Sequence, residues 1–132
     1  MRFMMFVLTG QEDSDYQPDT EIVEAMMEYN EQLTKAGAML AGEGLTPPSK
    51  GARLTFRGGD VSVTDGPFAE AKEVVGGFWI IEAKSREEAL EWARRCPLDG
   101  GTTLEVRQIA EMSDHSEEVQ ALAGGSEDQP AG

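Results

Sequence analysis

The chain has 132 residues, which suits a single domain with a core of its own. It holds 25 acidic residues, 11 basic residues and one histidine, for a formal charge of −14. Phosphate backbones are bound by clustered Lys and Arg. Here Arg94 and Arg95 are the only adjacent bases, so direct binding of nucleic acid is not expected. One cysteine, Cys96, excludes an intrachain disulfide and suits a reducing compartment.

Residues 3–8, Phe-Met-Met-Phe-Val-Leu, are apolar on both alternating faces. The run is too short for a leader core or a membrane span, and reads as a strand covered on both sides. The expectation is a cytoplasmic protein with no membrane segment. A polar stretch with Pro18 follows as a loop. Asp19 or Thr20 then caps a helix carrying Ile22, Ala25, Met26, Tyr29, Leu33 and Ala36 at helical spacing, and Gly37 ends it. Residues 38–42 read as a second strand, broken by the segment from Gly42 to Pro48. Residues 52–57 alternate and turn at Gly58-Gly59-Asp60 into a return strand over 61–64, which defines a hairpin.

Asp65-Gly66-Pro67-Phe68 is a sharp turn, and residues 69–74 suggest a short helix. Residues 78–81, Phe-Trp-Ile-Ile, are again apolar on both faces. Ser85-Arg86-Glu87-Glu88 fits a capping box that opens a helix with Ala89, Trp92, Ala93 and Cys96 inward, ended by Pro97. A last alternating strand covers 102–109. From Glu111 onward there are six acids and no Lys or Arg, and the chain ends GGSEDQPAG; residues 111–132 are expected to be a disordered acidic tail behind a domain at 1–110.

The order β-α-β, hairpin, β-α-β predicts an α+β fold, a ferredoxin-like split βαβ sandwich with an inserted hairpin. Two helices on one face leave the other face open, yet two strands are greasy on both sides. A second copy related by two-fold symmetry is the economical cover, so a homodimer is expected; a higher oligomer or an apolar ligand are the alternatives.

Several segments resemble the YCII-related family and its DGPF subgroup: the opening MRFMMFVL, Gly42-Glu43-Gly44-Leu45 with Pro47-Pro48, and residues 64–73 around Asp65-Gly66-Pro67-Phe68. Gly76-Gly77-Phe78, residues 88–93 with Cys96-Pro97, and Leu104-Glu105-Val106-Arg107 complete the set, which spans about residues 1–110. The resemblance implies a ferredoxin-like fold paired as a dimeric α+β barrel. It implies little chemistry. DGPF proteins are associated in places with extracytoplasmic-function sigma factors, and some YCII-like relatives are small-molecule lyases or isomerases using a His–Asp pair. This chain departs from that pattern, because its one histidine, His115, lies in the acidic tail.

Asp65 is the candidate general base, against a turn-capping role through local hydrogen bonds. Glu43, between two glycines where the strand is expected to stop, is a second candidate carboxylate, against a solvated bulge. Lys72 could anchor a ligand anion, against an exposed ion pair. Arg107 offers a planar fork for a carboxylate and shares a strand face with Glu105; the alternative is that both make cross-strand ion pairs. No metal-ligand spacing and no phosphate loop occur, so neither metal nor cofactor is expected. Cys96 has no histidine to activate it and reads as a buried helix-end residue. The functional expectation is a small-molecule binder with lyase- or isomerase-like proton transfer near the DGPF loop. The alternative is a non-catalytic accessory or regulatory protein.

Overall fold

The computed structural model describes residues 1–10, 19–68, 73–98 and 100–124. Six strands and three α-helices are described: β1 (Arg2–Thr9), α1 (Thr20–Lys35), β2 (Met39–Gly44), β3 (Ala52–Arg57), β4 (Asp60–Asp65), β5 (Val74–Glu82), α2 (Arg86–Arg94), β6 (Thr103–Gln108) and α3 (Glu117–Gly124). Four strands form an antiparallel sheet in the order β2-β5-β1-β6, while β3 and β4 form a separate two-stranded sheet. With the hairpin set aside, this is the strand order of a split βαβ sandwich, compatible with the expected ferredoxin-like fold.

One face of the sheet makes the core. Phe3 and Met5 of β1 and Trp79 and Ile81 of β5 are buried against Tyr29 and Leu33 of α1 and Ala89 and Trp92 of α2. Leu104 and Val106 of β6 pack on this cluster. Tyr29 is its hub. Its ring meets Trp79 edge-on with centroids 5.6 Å apart, and its hydroxyl donates to the Trp92 carbonyl at 2.7 Å. The Trp79 indole N–H donates to Asn30 Oδ1 at 2.8 Å, so the buried aromatic polar groups are satisfied. Gly42 makes room for that indole. A Cβ there would come within 2.8 Å of Trp79 Cδ1.

Local signals explain the helix ends. Ser85 Oγ accepts from the Glu88 amide at 3.1 Å and starts α2. Gly37, at φ +71, follows the end of α1 in the left-handed conformation that favours glycine.

Three boundaries differ from expectation. β2 runs to Gly44, because Glu43 and Gly44 pair with Phe78 and Gly77; Glu43 is therefore inside a strand and not past its end. The irregularity falls earlier, between Met39 and Ala41. β5 begins at Val74, which removes that residue from the expected short helix; residues 69–72 lie outside the described residues. Finally, residues expected to be an unstructured tail form a 3₁₀ turn at Met112–Asp114 and then α3; residues 125–132 lie outside the described residues. Glu111 holds this segment to the sheet through Arg2, with Nε to Oε1 at 2.8 Å.

Candidate functional site

Alternation along β1 sends Met4, Phe6 and Leu8 to the face opposite Phe3 and Met5. Strand register then assembles that open face. Glu43 of β2 stands opposite Phe78 of β5, Phe78 opposite Phe6 of β1, and Phe6 opposite Glu105 of β6, one row crossing the whole sheet. The next row is Ala41, Ile80, Met4 and Arg107. Met4, Phe6, Phe78 and Ile80 are half-buried, and none belongs to the core cluster. The result is an apolar and aromatic floor with a carboxylate at each side and one guanidinium on the β6 edge. Strands lie about 4.8 Å apart, so the Cα atoms of Glu43 and Glu105 stand about 14 Å apart across three spacings. They cannot share a proton, but they can flank a ligand. Arg107, Glu105 and Glu43 enter no ion pair among the described residues.

The hairpin has two unlike faces. Leu54 and Phe56 of β3 stand opposite Val63 and Val61 of β4, and all four are exposed. Asp65, opposite Ala52, lies on this same apolar face by alternation. The other face carries Arg53, Thr55 and Arg57. Arg53 places its guanidinium 4.1 Å from the centroid of the Phe68 ring, so the phenylalanine of the turn is tied to the polar face. Gly66 packs against the carbonyl of Pro48, which a Cβ would strike, and its amide donates to the Gly51 carbonyl at 2.9 Å. Glycine is therefore required in the turn by the close approach of two backbone segments.

Asp65 is exposed and accepts no hydrogen bond among the described residues. It sits in a different sheet from Glu43, and the structure gathers Glu43, Glu105 and Arg107 on one face without it. Lys72 lies outside the described residues. Sequence reasoning missed Phe6 and Phe78 as a facing pair. Their alternation was legible, but their register was not. It also missed the Arg2–Glu111 clasp, which joins residues 109 positions apart.

Two ionisable groups, Tyr29 in the core and half-buried Cys96 packed against it, do not serve chemistry. Burial pushes the Cys96 thiol up to about 12, which keeps it protonated and unreactive. Tyr29 is likewise raised, chiefly by burial, and acts as a hydrogen-bond donor inside the core. No group of three or more His, Cys, Asp or Glu side chains among the described residues is placed to hold a metal ion.

A two-layer α+β architecture with an open, polar-edged sheet face is thus defined. Residues 1–113 match the YCII-related domain, and the chain belongs to that family. It is similar to an uncharacterised protein of Rhizobium meliloti (strain 1021), 33% identical over 94 residues that cover 70% of this chain and 76% of that protein. Among the described residues, no helix is long and apolar enough to cross a membrane.

Proposed function

We propose that the protein is a cytoplasmic, homodimeric small-molecule-binding protein of the DGPF type, with its ligand on the open face of the four-stranded sheet. The observation that carries this reading is the floor of Met4, Phe6, Phe78 and Ile80, bordered by Glu43, Glu105 and Arg107. A planar apolar ligand stacks on such a floor, and an anionic group on it is met by the fork of Arg107. A second copy closing over the floor gives the dimeric α+β barrel. Any proton transfer in this site rests on a single carboxylate, Glu43 from the floor or Asp65 from the hairpin, with no orienting partner among the described residues. This favours binding over lyase- or isomerase-like turnover. A second reading, favoured by the bare apolar face of the hairpin, is an accessory or regulatory protein that acts by protein contact, a sigma factor being one such partner.

The test is a thermal-shift screen against small aromatic carboxylates. A ligand at a hundred times its dissociation constant adds about 2.7 kcal/mol, a rise of several degrees. Hits that vanish in both Arg107→Ala and Phe78→Ala support the floor. Hits that survive both substitutions, or silence across the library, sink it and leave the contact reading in front.

A further inference from the structure

The β3–β4 hairpin is bare on one face. Leu54 is 53% exposed, Phe56 73%, Val61 52% and Val63 63%, although they form two facing cross-strand pairs. Those exposures leave on the order of 400 Å² of apolar surface uncovered, in the range of the largest patches found on soluble monomers. A two-stranded hairpin is marginal in water on its own. The base of this one is closed by the Gly66 amide on the Gly51 carbonyl and by the packing of Gly66 on Pro48, while its apolar pairs find no cover among the described residues.

We propose that this hairpin is an arm that docks its apolar face on a second copy of the chain, at the β6 side of the open sheet face. The inference rests on the homodimer reading and names the element that makes the dimer. Area and charge both select this acceptor. A stable interface takes about 800 Å² per partner, so the arm supplies about half and an apolar acceptor of similar extent must supply the rest. The floor of Met4, Phe6, Phe78 and Ile80 with Leu8 is such a surface on the same chain. The arm's apolar face carries one charge, Asp65, at its base. The β2 border of the floor carries Glu43 alone, which repels it, whereas on the β6 border Glu105 is offset by Arg107, the one cation in the two rows of the floor. Docking toward β6 pairs Asp65 of each copy with the guanidinium of the other. Two-fold symmetry makes the contact twice, and the binding site is then composite, with Asp65 delivered to it from the second copy.

The experiment is sedimentation velocity on the full chain, wild type against Phe56→Asp, Asp65→Arg and Arg107→Asp. Each substitution is expected to raise the dimer dissociation constant at least about tenfold. An equimolar mixture of Asp65→Arg with Arg107→Asp is expected to regain wild-type association, because each chain then meets its complement in the other. Hydrogen exchange on unmodified protein keeps the test independent of folding defects: protection of the β3 and β4 amides must rise with protein concentration across the dimer transition. A wild type that stays monomeric at micromolar concentration overturns the dimer reading and the arm with it. A stable wild-type dimer whose mixture shows no recovery, or whose hairpin amides exchange independently of concentration, overturns the arm and leaves the dimer standing.

Discussion

Gly66 shows how a short motif can be fixed by what passes beside it. The Pro48 carbonyl occupies the space a side chain would take, and that carbonyl is backbone, so it cannot swing away. Gly66→Ala should therefore cost about 1–3 kcal/mol in urea unfolding, the range for overpacking a tight contact. An unchanged midpoint would show that the two segments separate readily. Cys96 yields a second residue-scale prediction. Its folded value of about 12 lies above the ordinary thiol range, so the protonated form is favoured in the fold. Alkylation at pH 8 should be at least about 100-fold slower in native than in unfolded protein, measured by mass spectrometry. The sign for stability follows from the same shift. The contribution is whole below the unfolded thiol value of about 8.5 and declines as pH rises from there toward the folded value. A Cys96→Ala variant should lack that alkaline decline.

At the scale of elements, short-range patterns were legible and long-range ones were not. Helical spacing and the Ser85 cap located α1 and α2 because those signals act within a few residues. Ser85→Ala should cost about 1 kcal/mol, read as a lower urea midpoint with an unchanged slope. β2 was cut short because Gly42 and Gly44 look like breakers, whereas both serve close approach or pairing: Gly42 seats Trp79 and Gly44 pairs with Gly77. Only tertiary context distinguishes such a glycine from a turn. α3 was missed although its start was readable, with Ser116 accepting from the Val119 amide at 3.3 Å and two glutamates in the first turn. Acidity was allowed to outweigh capping. The candidate site was legible in composition and partly in place. Glu105 and Arg107 share a face as their spacing required, but that Glu43 borders the same floor depends on register set across three strands.

At the scale of the whole molecule, charge works against association. Two copies each at −14 repel, and the repulsion is screened by salt. The dimer should therefore tighten between low salt and physiological ionic strength, and a dimer that loosens would show that the Asp65–Arg107 contacts outweigh net charge. The Arg2–Glu111 clasp responds in the opposite sense to acid. The hydrogen bond from Arg2 holds the Glu111 carboxyl below its ordinary range, so its contribution is present above about pH 4.3 and is lost as pH falls through the lowered value. Exchange of the α3 amides should quicken there, and Glu111→Gln should quicken it at neutral pH as well. The placement of the two tryptophans has a practical consequence. Trp79 is seated over Gly42 and bonded to Asn30, and Trp92 lies beneath Arg95, both on the helical side of the sheet. Intrinsic emission is thus chiefly a gauge of unfolding, coming from indoles that sit in the core and do not line the floor. Occupancy there is better followed through the ring resonances of Phe6 and Phe78, so the molecule carries separate spectroscopic windows on its stability and on its binding.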